Sequence, residues 1–206
     1  MKELYGDLFS PNTYRTDSGS SLASPGIICI TTNGFVKKNG EAVMGKGCAK
    51  RACELFDAAL PDRAPSFANR VGRAIINNGN IAQTLGYYSF CNATIFIFPV
   101  KPAYEKCEHN AANIVKHMQS RFKYGDTVPG WACKARMELI KRSAQQFVSI
   151  VNERFPGRGL GGPIVLPRPG CGAGELEWED VKPELDKILD DRFYAITYNN
   201  SNGATK

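Results

Sequence analysis

Leu166-Pro-Arg-Pro-Gly-Cys-Gly-Ala-Gly-Glu-Leu-Glu-Trp178 follows an apolar run, Pro163-Ile-Val-Leu166, and leads directly into Glu179-Asp-Val-Lys-Pro-Glu-Leu-Asp-Lys-Ile-Leu189, whose apolar residues recur at helical intervals. The stretch reads as strand, glycine-rich turn and helix. Gly170, Gly172 and Gly174 alternate with other residues, and glycine lets a backbone turn sharply and approach a ligand with no Cβ in the way. A turn of this kind aims several N–H groups in one direction, and the positive end of the following helix adds to their field, so the expected ligand is a phosphate or diphosphate. The spacing G-x-G-x-G is not the dinucleotide fingerprint, and no Walker lysine with serine or threonine follows it. A tight connection without a ligand would use the same glycines.

Upstream, Leu4-Tyr-Gly-Asp-Leu-Phe9 opens with a short apolar segment, and Pro11 to Pro25 is polar, serine-rich loop. Gly26-Ile-Ile-Cys-Ile-Thr-Thr32 is continuously apolar and β-branched, as in a strand buried on both faces. Ala42-Val-Met-Gly-Lys-Gly-Cys-Ala-Lys50, followed by helical spacing toward Pro61, reads as a second strand end, glycine-rich turn and helix. Two such turns can address one diphosphate from two sides. Ala74-Ile-Ile-Asn77 and Gly86-Tyr-Tyr-Ser-Phe90 read as strands about an Asn-Gly turn, and Thr94-Ile-Phe-Ile-Phe98 as a buried strand stopped by Pro99. Lys101 then stands just beyond the carboxyl end of a central strand, where open α/β sheets bind ligands. Glu105 to His117 has helical intervals with both histidines, His109 and His117, on its surface; Tyr124 to Trp131 breaks the pattern; Ala135 to Phe155 is an amphipathic helix. After a loop at Pro156 to Gly162 come the strand at Ile164, the opening motif with its helix, and a last strand at Phe193 to Tyr198.

Strands alternating with helices, several of them continuously apolar, predict a three-layer α/β/α sandwich with a mixed, mainly parallel central sheet. The 206 residues suit one domain, 1–198, with a polar tail at 199–206. No apolar run approaches the ~20 residues of a membrane span, and the N-terminus has no signal-peptide pattern, so no membrane partner is expected. Seven scattered cysteines without a C-x-x-C pair argue against a zinc site or a disulfide framework, and for a reduced, cytoplasmic protein. The net charge of +6 would suit an anionic ligand or nucleic acid, but basic residues spread along a chain also form an ordinary solubilising surface.

The order Gly6-Asp-Leu8, Ile30-Thr-Thr-Asn33, Val43-Met-Gly-Lys-Gly-Cys-Ala49, Phe98-Pro-Val-Lys101 and Pro167-Arg-Pro-Gly-Cys-Gly-Ala-Gly-Glu-Leu-Glu-Trp178 resembles the macrodomains, which bind ADP-ribose. Within them it most resembles the branch of the terminal ADP-ribose glycohydrolase of animal cells and the DarG antitoxins, which remove ADP-ribose from protein carboxylates or from thymidine bases in DNA. The resemblance implies that Asp7, with Leu8 beside it, receives the adenine amine and that Asn33 holds the distal ribose. It also implies that the backbones of Gly45, Lys46 and Gly47 flank the ligand, with Gly170, Cys171, Gly172, Ala173 and Gly174 cradling the diphosphate. Lys101 falls on the position of the branch's catalytic lysine. A lysine there can attack the anomeric carbon as an amine or stabilise charge as a cation.

Two departures stand out. Gly174 occupies the place of the animal enzyme's catalytic aspartate, as in the DarG pattern, which leaves Glu175 as the candidate substitute; and Ile30 replaces the first asparagine of the common Val-Asn-Ala-Ala-Asn motif. The implied function is a hydrolase freeing ADP-ribose from a modified protein or nucleic acid, without cofactor or metal, as a monomer, in a toxin–antitoxin or phage setting. A non-catalytic ADP-ribose reader and an ADP-ribose 1″-phosphate phosphatase are the alternatives.

Overall fold

The computed structural model describes residues 1–14, 24–61, 63–155 and 162–198. The serine-rich stretch after Pro11, the loop 156–162 and the tail 199–206 fall wholly or mostly outside these residues.

A six-stranded sheet has the spatial order β1 (Lys2–Tyr5), β8 (Phe193–Thr197), β7 (Ile164–Pro167), β2 (Ile27–Asn33), β4 (Ala93–Lys101), β3 (Gln83–Tyr88). Every neighbouring pair is parallel except β3 with β4. Strands at the centre of such a sheet are covered on both sides, which is why β2 and β4 are apolar at consecutive positions. Alternation then divides their side chains between two cores. Cys29, Phe96, Phe98 and Leu166 face the layer of α3 (Met137–Arg154) and α4 (Trp178–Asp186), while Ile28, Ile30, Ile95 and Ile97 face α1 (Gly47–Ala59) and α2 (Phe67–Asn78). Phe147 of α3 sits between Phe96 and Phe193, at ring distances of 4.9 and 5.4 Å, and Phe56 of α1 meets Phe67 of α2 at 4.3 Å. The chain is therefore the α/β/α sandwich with a mixed, mainly parallel sheet that the sequence predicts. Among the described residues no helix is long and apolar enough to cross a membrane.

Several sequence expectations need correction. Ala74 to Asn77 is not a strand but the end of α2, whose helix starts at Ser66, with the Ser66 side chain accepting from the Asn69 N–H. Phe67, Val71 and Ile75 at four-residue intervals bury its one apolar face. The Ala42 to Gly45 segment forms no strand, only an isolated bridge between Val36 and Ala42. Strand β4 also passes through Pro99 to Lys101. A proline is tolerated there because β3 pairs no further along β4 than Ile97, and β2 shifts register between Thr32 and Asn33 as it passes Pro99.

The largest correction concerns residues 104–134. The expected helix from Glu105 to His117 is absent: β5 (Tyr104–Lys106) pairs antiparallel with β6 (Thr127–Pro129), and the intervening chain forms short 3-10 turns. Asn110 and Ala111 take left-handed backbone angles that end any helix. Buried Asn113 captures the turn, donating to Lys106 O and Glu105 Oε2 and accepting from the Glu108 N–H. This insertion has its own small core, including Cys107, Ile114, Val115, Met118 and Cys133. Arg136 clamps its base to the main domain through two bonds to Glu105, of 2.6 and 2.9 Å, and one of 3.0 Å to Glu108.

Candidate functional site

The parallel strands β1, β2, β4, β7 and β8 end on the same side of the sheet, and a cavity of about 840 Å³ runs across those carboxyl ends. Ligand sites of open α/β sheets lie there because the loops diverge beyond the last strand hydrogen bonds. Its lining brings together Asp7, Leu8, Asn33, Gly45, Lys46, Gly47, Lys101, Gly170, Cys171, Gly172, Ala173 and Gly174. Glu175 is not among the lining residues. From β1 to β4 the sheet order counts four strand spacings, so these two strands are about 19 Å apart across the sheet.

At the β1 end, Asp7 Oδ1 accepts from the Phe9 N–H at 2.9 Å, which leaves the other carboxylate oxygen for a ligand. Thr13 Oγ1 donates to Asp7 O and Tyr14 Oη to Leu8 O, both at 2.7 Å, so the turn carrying Asp7 is fixed from beneath. The neighbouring edge strand β1 is tied to the segment joining β7 to α4 through Glu3, whose Oε1 accepts from Trp178 Nε1 and Arg168 Nη2.

Two loops face the middle of the cavity. The first, residues 43–47, runs into α1 without any side-chain cap at Lys46, so the first-turn N–H groups of that helix are open. Gly47 has φ +57°, a left-handed angle that suits glycine. Asn33 sets this loop's position: its Nδ2 donates to Val43 O at 2.9 Å, and its Oδ1 accepts from Phe35 N–H at 3.0 Å. The second loop folds back on itself through Leu176 N–H to Gly170 O and Glu175 N–H to Gly172 O, both at 3.1 Å. Among the described residues the N–H groups of Gly172, Ala173 and Gly174 have no protein acceptor. Gly174 also supports the close packing, since a Cβ there would lie 2.4 Å from Gly170 O and 2.6 Å from Ala135 Cβ.

Lys101 ends β4 inside the cavity wall with 7% of its surface exposed. Its ammonium donates to Ala173 O at 2.6 Å and to Trp131 O at 3.4 Å. Neutral carbonyls only partly replace water around a charge, so burial brings its pKa down to about 8; Cys133 and Glu175 oppose the shift and Lys46 adds to it. Among the described residues the cavity lining holds the cations Lys46, Arg51, Lys101 and Arg168 against one carboxylate, Asp7. Thr32, Thr197 and Arg168 belong to the same lining, and Thr32 Oγ1, Thr197 Oγ1 and Arg168 Nε are buried beneath its surface without a hydrogen-bond partner among the described residues. The excess of cations makes this a surface suited to an anionic ligand. Cys171 is no nucleophile at neutral pH, because burial pushes its thiol up to about 12.

Sequence reasoning missed His117 and Trp131, which reach the cavity from the insertion. His117 Nε2 lies 2.9 Å from Lys46 Nζ. The irregular turns between them and β4 carry no periodic signal. Glu175 takes a left-handed backbone angle, φ +59°, and its Oε1 accepts from the Lys116 N–H at 2.8 Å, binding the second loop to the insertion.

No protein-family model matches the chain, and no curated protein sequence matches it. Solved structures do match. The macrodomain of Thermus aquaticus DarG superposes with a TM-score of 0.56 at 18% identity, covering 96% of this chain and 97% of its own. The macrodomain of Mycobacterium tuberculosis DarG gives 0.55 at 18% identity, covering 97% of both chains. Thermosipho africanus DarTG in complex with ADP-ribose gives 0.55 at 15% identity; the match covers 88% of this chain but only 40% of that longer one. Strand order, the two glycine-rich loops and these superpositions lead to one structural conclusion: the chain has the macrodomain fold.

Proposed function

We propose that the cavity binds ADP-ribose along the strand ends, and that the protein frees ADP-ribose from a modified protein or nucleic acid through Lys101. The observation that carries this reading is the pair of facing loops. The open N–H groups at the start of α1 and those of Gly172 to Gly174 address the middle of one cavity, between a free carboxylate oxygen at Asp7 and the buried ammonium of Lys101. Adenine goes to Asp7 and Leu8, the diphosphate to the backbones of Gly45 to Gly47 and Gly170 to Gly174, and the distal ribose to Asn33 and Lys101. The complex of Thermosipho africanus DarTG with ADP-ribose supports the choice of ligand.

An ammonium has three N–H groups, and two of those on Lys101 are taken by carbonyl oxygens. The third is free for the substrate. With a pKa of about 8 the side chain is mostly ammonium at neutral pH and donates a proton readily to a leaving group, so it acts as a positioned acid at the anomeric linkage. Incubating wild type and Lys101→Ala with mono-ADP-ribosylated protein, ADP-ribosylated single-stranded DNA and ADP-ribose 1″-phosphate tests the reading. Release of ADP-ribose by wild type alone supports it and names the carrier.

One observation favours a second reading, a non-catalytic ADP-ribose reader: among the described residues no carboxylate lines the Lys101 end of the cavity. Binding of ADP-ribose without turnover of any of the three substrates would select it.

A further inference from the structure

With Lys101 as the acid, the site still needs a base. Among the described residues Asp7 is the only carboxylate in the lining, and it follows β1, a strand four spacings, about 19 Å, from β4 across the sheet. Position 174 has no room for a side chain without moving Gly170 or Ala135. Of the Glu175 carboxylate, Oε1 accepts from the Lys116 N–H and Oε2 is buried without a hydrogen-bond partner among the described residues, and the residue stays out of the cavity lining.

That last bond has a consequence one residue on. It docks the 3-10 turn Lys116–Arg121 against the second loop, and His117 then faces the cavity that Lys101 also faces. Trp131, from the same insertion, accepts from the Lys101 ammonium, so the insertion meets both ends of this arrangement. The other histidine, His109, instead stacks on Tyr124 at 3.9 Å and is not in the lining. Lys46 Nζ approaches His117 Nε2 at 2.9 Å. An ammonium has no lone pair to offer, so Lys46 donates, Nε2 carries the lone pair, and the ring proton is assigned to Nδ1.

We propose that His117 is the proton acceptor that activates the hydrolytic water, a role resting on the reading of Lys101 as the acid. A bound diphosphate competes for the Lys46 ammonium, which frees the Nε2 lone pair. Nε2 takes a proton from water as the water oxygen bonds to the anomeric carbon. The glycosidic bond breaks, its electron pair leaves with the carrier, and the carrier takes a proton from Lys101. The imidazolium and the neutral amine so formed return to their starting states by proton exchange with solvent. Glu175 is a positioning residue, holding the turn that carries His117.

The test uses His117→Gly, His117→Gln, Glu175→Ala and Glu175→Gln in the full chain, each checked for an unchanged thermal unfolding profile, with the ADP-ribosylated substrate that wild type cleaves. Both His117 variants are expected to bind ADP-ribose within about threefold of wild type, keep KM, and lose about 100-fold in kcat. Added imidazole should restore His117→Gly by about tenfold or more, and Glu175→Gln should keep the rate that Glu175→Ala loses. A kcat for His117→Gln within about threefold of wild type, or a loss in His117→Gly that imidazole leaves unchanged, overturns the role. A wild type that binds ADP-ribose but cleaves nothing overturns it differently, by removing the hydrolase reading itself.

Discussion

The Lys101 ammonium donates to the carbonyl oxygen of Ala173 at 2.6 Å, joining the end of the central strand β4 to the second glycine-rich loop through a charge that has been largely removed from water. That position has a stability cost with a defined pH window. The folded-state pKa is about 8 against the usual 10.5. Below pH 8 the lysine is charged in both states and the folded protein bears the whole cost. Between 8 and 10.5 the folded state gives up the proton while the unfolded state keeps it, so the cost is withdrawn as pH rises. Lys101→Met removes it throughout. Urea unfolding should find that variant more stable than wild type by about 3 kcal/mol at pH 7, with the difference shrinking toward zero near pH ~10.5. An unchanging difference across that window would contradict the burial of a charged Lys101.

Gly174 is held to glycine by space, since a Cβ would meet Gly170 O at 2.4 Å and Ala135 Cβ at 2.6 Å. Gly174→Asp, which places a carboxylate where the animal glycohydrolase is expected to have one, should lower stability by about 2 kcal/mol in urea unfolding and weaken ADP-ribose binding instead of raising activity.

These two residues show what could and could not be read from the sequence. Strands β2, β4 and β7 were legible because burial on both faces demands unbroken apolar runs, and α3 because Leu139, Ile140, Ala144, Phe147 and Val151 follow a helical period. The site's backbone loops were legible through their glycines and their places after strands. Ala74 to Asn77 misled because a short apolar run fits strand and helix alike. The insertion was illegible for a different reason: its path is set by left-handed turns and by buried Asn113, contacts with no periodic signature. His117 and the true partner of Glu175 followed it out of view.

Asn33 uses its amide to hold the first loop, through Val43 O and the Phe35 N–H. Asn33→Ala should cost about 1–2 kcal/mol of stability and weaken ADP-ribose by about tenfold. Calorimetry with ADP, which lacks the distal ribose, should show a smaller loss. An equal loss for both ligands would mean that Asn33 acts only through the loop.

Glu3 accepts from Trp178 Nε1 at 2.9 Å and from Arg168 Nη2 at 3.3 Å, which ties edge strand β1 to the segment joining β7 to α4. Glu3→Ala should loosen the turn bearing Asp7 and weaken ADP-ribose by about threefold to tenfold, while kcat at saturating substrate stays at the wild-type value. A fall in kcat with unchanged affinity would place the effect at the wrong end of the cavity.

The most direct test of the account is calorimetric titration of ADP-ribose into wild type, Asp7→Ala and Lys101→Ala. The expected result is one-to-one binding by wild type, binding weakened about tenfold or more in Asp7→Ala, and binding largely kept in Lys101→Ala, whose side chain is assigned to the reaction. No binding by wild type, or binding indifferent to Asp7→Ala, would contradict a cavity that holds ADP-ribose with its adenine at the end of β1.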